Sequence, residues 1–343
     1  MSETLTRELV RRLPKAELHV HLDGCLRPET MLDLAREANV SLPATDPDTL
    51  ARAMLVRNAR SLEDYLERYV YTVALMQTPA ALERIAYEFV LDVARENVRY
   101  VEVRYCPALH TNAMSLTRAV EAPLAGLERA MKETQCRASL IVCGLRTLSP
   151  RVSEDLARAA TDYREAGVVA FDLAGAEHGH PAEDHASAFR YAAAHGLHCT
   201  CHAGEGEGAE SVREALHTCG AERIGHGTRL LEDPELEAEV IERRIPLEVC
   251  LTSNVHTHTV SDLGEHPVRR YFDRGCVITL NTDGRLMDGV TLTDEYWQAH
   301  DTFGFTRAEI DRLILNGFES AFLPEDERTA LVASVRAELE AIR

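Results

Sequence analysis

Short apolar runs rich in β-branched side chains recur along the chain, separated by stretches whose apolar positions return with helical period. The runs are "AELHVHL" near 17, "VRYVEVRY" near 100, "ASLIVCGL" near 140, "GVVAFDLAG" near 170, "LHCTCHAGE" near 200, "RIGHG" at 223, "IPLEVCLTSN" near 248 and "CVITLNTDG" near 279. Between them, residues 79 to 97 place Leu82, Ile85, Ala86, Phe89, Val90 and Val93 on one helical face, with Thr78 as the N-cap and Pro79 at the first helical position. Buried strands alternating with amphipathic helices demand a parallel sheet, and eight such units predict closure into a single α/β domain, a (β/α)₈ barrel over residues 1–343. An open doubly wound sheet would want a glycine-rich phosphate turn after its first strand, and "HLDGCLRPET" has none. A helical insert over about 28–97 separates the first strand from the second. Within it, Ser61 and Asp64 resemble a capping box, and Leu62, Tyr65 and Leu66 share one face of a helix.

Composition narrows the partners. The 343 residues carry 56 acidic against 37 basic side chains, a net charge of −19, which would repel nucleic acid and anionic membrane surfaces. A neutral or cationic small molecule is the expected partner. Nine cysteines, an odd number with no C-x-x-C pair, sit mostly inside apolar runs and read as reduced core residues. The start "MSETLTRELVRRLPKAE" lacks the apolar core of a signal peptide and no run is long enough to span a bilayer, so the expected location is the cytoplasm. Oligomeric state is not legible.

In a barrel the chemistry sits where the strands end. The first strand ends with His19 and His21, the fifth with His202 followed by Glu205, the sixth with His226 and the eighth with Asp283. Side chains alternate along a strand, so His19 and His21 point the same way and can reach one metal ion. Three imidazoles and one carboxylate are the donors a catalytic zinc uses with one position left open. The remaining histidines, including His110, His185 and His266, default to the surface, and "HTHTV" at 256–260 reads as structural.

Taken in order, "PKAELHVHLDG", "CHAGE", "ERIGHG", "LEVCLTSN" and "LNTDG" resemble the adenosine deaminase family, over about Leu13 to Phe322. The resemblance implies a barrel with one zinc ion that hydrolyses the 6-amino group of adenosine and deoxyadenosine to give inosine, deoxyinosine and ammonia. It implies His19, His21, His202 and Asp283 as zinc ligands, and Glu205 as the acid that protonates N1 of the purine. His226 would orient and deprotonate the attacking water, with Asp283 beside it. Gly175 would offer its N–H to the ring, Asp23 would meet the ribose, His21 would face the substrate, and Leu62, Tyr65 and Leu66 would close an apolar wall.

One position departs from the pattern. Where the family reads "NTDDP" or a close variant, with the second aspartate bonding N7, this chain reads "NTDGRLMDG". Gly284 has no side chain, so that contact is absent, replaced by water, or supplied by another group such as Arg285. The substrate is then either adenosine with slack N7 recognition or a modified adenine nucleoside such as aminodeoxyfutalosine. Two other enzyme classes lack support. Neither lysine, Lys15 nor Lys132, can bridge a binuclear centre after the fourth strand, and the H-x-E with P-C-x-x-C signature of cytidine-type deaminases is missing. A non-enzymatic binding protein would be expected to have lost a ligand or Glu205, and all are present.

Overall fold

The computed structural model describes residues 5–342. Eight parallel strands follow one another around a single sheet in chain order: β1 (Lys15–His21), β2 (Val98–Tyr105), β3 (Arg137–Leu145), β4 (Val168–Ala174), β5 (His198–Ala203), β6 (Arg223–His226), β7 (Pro246–Val249) and β8 (Val277–Leu280). Each apolar run named above carries one of them. The expected (β/α)₈ barrel is the fold.

The seam between β8 and β1 shows how the barrel closes. Side-chain Oδ1 of Asn281 accepts the backbone N–H groups of Leu18 and His19 at 2.8 and 3.1 Å. Beyond it, His21 N–H donates to the Asp283 carbonyl at 2.8 Å, and Asp283 N–H donates to the His19 carbonyl at 3.1 Å. Asp283 is therefore tied by its own backbone between the two histidines of β1. The eighth run is shorter as a strand than the sequence suggests. "NTDG" lies past the end of β8, and "LTSN" past the end of β7 opens a helix at Leu251.

The helix Pro79–Ala94 forms as its pattern predicts, with Thr78 Oγ1 accepting the Ala81 N–H at 3.2 Å and the six named apolar residues buried. It packs as a barrel helix beside Leu116–Met131. The earlier part of the insert comprises the helices Pro28–Ala38, Pro47–Met54, Leu62–Leu66 and Tyr69–Leu75, so the stretch after Ser61 is two short helices rather than one. The capping box there is half made. Ser61 Oγ accepts the Asp64 N–H at 3.4 Å, but the Asp64 carboxylate accepts from the N–H and Nε of Arg60.

Apolar side chains fill the layer between sheet and helices, whereas the barrel interior holds charge. Arg104 lies 3.0 Å from Asp172 and 2.9 Å from Glu248, and Arg223 lies 2.6 Å from Glu248 and 2.5 Å from Glu102, all fully buried. Burying charge costs several kcal/mol per ion unless it is paired and hydrogen-bonded, as it is here. Three histidines expected at the surface are buried: His110, His185, bonded to Ser153 at 2.8 Å, and His266. A loop histidine is covered whenever a neighbouring helix packs over it, which periodicity does not reveal. The nine cysteines are free, and all but Cys25 are buried. Among the described residues no helix is long and apolar enough to cross a membrane.

Candidate active site

One of the two histidines of β1 is aimed from behind. His19 Nδ1 bonds to the buried Glu248 carboxylate at 2.8 Å, which turns its Nε2 toward the barrel mouth, where that atom is buried without a hydrogen-bond partner. His202, on β5, is held the same way. Its Nδ1 lies 3.2 Å from Asp172 Oδ1, and its Nε2 lies 3.0 Å from Nε2 of His21. Asp283 Oδ1 stands 3.5 Å from His19 Nε2 and 3.3 Å from His21 Nε2. The four donor atoms fall within 4.8 Å of one another. Burial pushes the His21 imidazole down to about 3, so its ring is neutral and its lone pair available. Nε2 of His19 is orphaned, and a divalent ion would satisfy it together with the facing His21 and His202 nitrogens and the Asp283 carboxylate oxygen. The donor set fits a metal.

Around this cluster a hydrogen-bonded chain settles which nitrogen of His226 carries its proton. Val268 N–H donates to His266 Nδ1 at 3.1 Å, leaving His266 Nε2–H to donate to Asn254 Oδ1 at 3.1 Å, an oxygen that also accepts from Thr228 at 2.9 Å. The Asn254 amide nitrogen must then donate to His226 Nδ1, 3.0 Å away. Burial, followed by the neighbouring histidines, holds His226 well below the usual imidazole range. The neutral ring therefore presents Nε2–H, which lies 3.4 Å from Glu205 Oε2. His226 and Asp283 both adopt left-handed backbone conformations, φ 63° and 60°, uncommon for residues with a Cβ and concentrated at functional sites. Ser253 Oγ donates to Asp283 Oδ2 at 2.6 Å.

Glu205 is buried, with Oε1 unpartnered. Desolvation first, then the charges of Asp283 and Glu177, raise its carboxyl well above the ordinary range, which favours the acid form. Its loop is pinned by Glu177, whose carboxylate accepts the backbone N–H groups of Gly204, Glu205, Gly206 and Glu207 as well as the Ser211 hydroxyl.

A cavity of about 350 Å³ opens over the cluster, and its walls include His21, His202, Glu205, His226 and Asp283 together with Asp23, Gly175, Leu62, Tyr65 and Leu66. Asp23 is buried with Oδ1 unpartnered, and burial pushes its carboxyl up to about 7. The sequence-predicted residues thus converge, apart from position 284, which lies behind the wall. There, a Cβ would come within 2.8 Å of the Tyr65 hydroxyl and 2.9 Å of the Tyr69 hydroxyl. Arg285 does not supply the missing contact. It pairs with the carboxylates of Glu17 and Glu96, away from the cavity. Sequence reasoning missed Asp172, Glu248, Glu177, Ser253, Asn254 and Tyr69. Asp172 and Glu248 had a signal, an acid inside an otherwise apolar strand; the others depend on tertiary placement.

Residues 14–338 match the adenosine deaminase family model. Among curated relatives, an adenosine deaminase of Mycobacterium avium is 40% identical over 98% of this chain and 97% of its own length. A probable adenosine deaminase of Dictyostelium discoideum is 41% identical over 94% of this chain, which spans 42% of that longer protein. Among solved structures, an adenine deaminase from Arthrobacter aurescens superposes with a TM-score of 0.89 at 27% identity, covering 96% of this chain and 99% of its own. Strand-end donors gathered under one cavity, and likeness along nearly the whole chain, lead to one conclusion: this chain belongs to the adenosine deaminase family of hydrolases.

Proposed function

We propose that the chain hydrolyses adenosine and deoxyadenosine to inosine and deoxyinosine with release of ammonia, using one zinc ion held by His19, His21, His202 and Asp283. The observation that carries this reading is the meeting, on one cavity wall, of a four-donor cluster with a buried acid, Glu205, beside His226. When bound, such an ion supplies the Lewis acidity that makes water a nucleophile near neutral pH.

The chain's own side chains do the rest. Glu205, kept protonated, gives its proton to N1 of the purine and makes C6 electrophilic. His226 Nε2–H donates to the attacking water and fixes its lone pair on C6; with that nitrogen protonated, the Asp283 carboxylate is the group free to take the water's proton. The expected double role of His226 thus narrows to orientation. Asp283 then passes that proton to the C6 amino group, the C6–N bond breaks and ammonia leaves, and the C6 hydroxyl gives up its proton to restore the Glu205 acid, so the ring regains its conjugation with a C6 carbonyl and a protonated N1. Asp23, with its free oxygen on the cavity wall, meets the ribose hydroxyls, and Gly175 offers its backbone N–H to the ring. Leu62, Tyr65 and Leu66 keep bulk water from the reacting face.

The test is ammonia release from a panel of adenine, adenosine, deoxyadenosine, adenosine monophosphate and aminodeoxyfutalosine. Fastest turnover of the two plain nucleosides is the expected result, and turnover confined to the free base or the nucleotide would contradict it. The second reading, a modified adenine nucleoside, is favoured by the one altered position, Gly284, and would show as a preference for aminodeoxyfutalosine.

A further inference from the structure

The wall behind Gly284 is built from the helical insert. Helix Leu62–Leu66 crosses the mouth, since the Leu62 side chain lies 3.2 Å from where a Cβ on Gly206, past β5, would stand, while the Tyr65 hydroxyl abuts Gly284, past β8. The Tyr69 ring enters a slot between two glycines. A Cβ on Gly24 or on Gly284 would come within 2.9 Å of the Tyr69 hydroxyl. Neither glycine has a positive φ, so the backbone there does not demand glycine; the space does. Tyr65 is fixed from behind. Its hydroxyl donates to Asp288 Oδ2 at 2.9 Å, and Asp288 Oδ1 is held by His256 Nδ1 at 2.7 Å. That spends the Tyr65 proton on Asp288. Tyr69, whose ring centroid lies 6.1 Å from that of Tyr65, lines the cavity, and its hydroxyl meets the hydroxyl of Tyr65 rather than a carboxylate.

We propose that the Tyr69 hydroxyl reads the substrate ring in this chain, donating to the acceptor nitrogen on the flank of C6 opposite Glu205, with Tyr65, Asp288 and His256 as positioning residues. The inference rests on the deaminase reading above and deepens it. Glu205 follows β5 and Gly284 follows β8, on different sides of the metal-ligand cluster, so a purine whose N1 meets Glu205 turns its N7 toward the Gly284 wall. A phenol is a donor at neutral pH, as N7 requires, and needs no raised pKa to stay one. Removing the carboxylate-bearing side chain at 284 opens the space that admits it. Recognition of the ring then belongs to the insert rather than to the barrel.

The experiment compares kcat/KM for adenosine and 7-deazaadenosine, in which N7 is replaced by C–H, in the metal-loaded wild type and in Tyr69→Phe. The wild type should prefer adenosine, and Tyr69→Phe should lower kcat/KM for adenosine about 3- to 10-fold, the worth of one neutral hydrogen bond, while leaving 7-deazaadenosine unchanged. Gly284→Ala should erode the same preference without removing any hydroxyl, because its methyl displaces both tyrosine tips. For the positioning chain, Asp288→Asn keeps an acceptor for Tyr65 and should retain the preference, whereas Asp288→Ala should reduce it. A wild type that does not distinguish the two rings, or a preference that survives Tyr69→Phe, overturns this inference alone. A wild type that turns over neither overturns the deaminase reading and this inference with it.

Discussion

The two flanks of the cavity are built by opposite strategies. On the side of β1, β5 and β6, four chemical groups are aimed by buried partners: His19 by Glu248, His202 by Asp172, His226 by Asn254, and the Glu205 loop by Glu177. On the Gly284 side the barrel contributes a gap, and two tyrosines from short helices fill it. Chemistry rests on charges locked inside a closed sheet. On the proposed reading, recognition rests on segments whose positions the sheet does not dictate. The difference teaches that substrate preference can change in this architecture through the insert, with the metal-binding donors left in place.

If that division holds, damage should be severe on the first flank and mild on the second. The largest effect belongs to Glu205→Gln, which removes the acid but keeps the shape. Turnover should fall about 10³-fold while metal content stays at the wild-type level; an active variant would remove Glu205 from its role. Next comes Asp172→Asn, which weakens the aim of His202 without touching a donor. It should cost about 10–100-fold in metal affinity, read by competition with a chromophoric chelator, and unchanged affinity would show that the buried network serves stability alone.

How much of this was legible in the sequence follows the same division. The eight apolar runs located the strands, because a parallel strand buried on both faces is largely apolar. His19, His21, His202, Glu205, His226 and Asp283 were readable because strand periodicity and strand ends are local properties. Tyr69 was not readable: seen from the sequence it is one aromatic residue in a helical stretch, and its slot is made by Gly24 and Gly284, one beside β1 and the other beside β8. Arg285 misled for the same reason. Its proximity to Gly284 in sequence suggested a substitute contact, but the turn at "NTDG" sends it to Glu17 and Glu96. The split of the insert after Leu66 and the burial of His110, His185 and His266 likewise depend on what packs against them.

A pH profile sharpens the comparison further. In the proposed reaction Glu205 works in its acid form, and burial together with Asp283 and Glu177 raises its pKa, so the active population is expected to extend above the ordinary carboxylate range and to drain away as pH climbs through the raised value. The rate kcat should be level near neutral pH and decline by about tenfold per unit on the alkaline side. A rate that rises there would mean the working form is the carboxylate. A smaller effect is expected from Ser253→Ala, which deletes one hydrogen bond to Asp283 Oδ2. It should lower kcat by a factor of about 3 to 10 with KM unchanged, and a larger change in KM than in kcat would place Ser253 in substrate binding instead.

The central claim is that three imidazoles and one carboxylate hold a single metal ion at the mouth of the barrel. Elemental analysis of protein purified without chelators, alongside His202→Ala and Asp283→Ala, tests it most directly. The account predicts about one zinc per chain in the native protein and a large loss in both variants. Folded native protein with no transition metal, or variants that retain as much as the native chain, would contradict it.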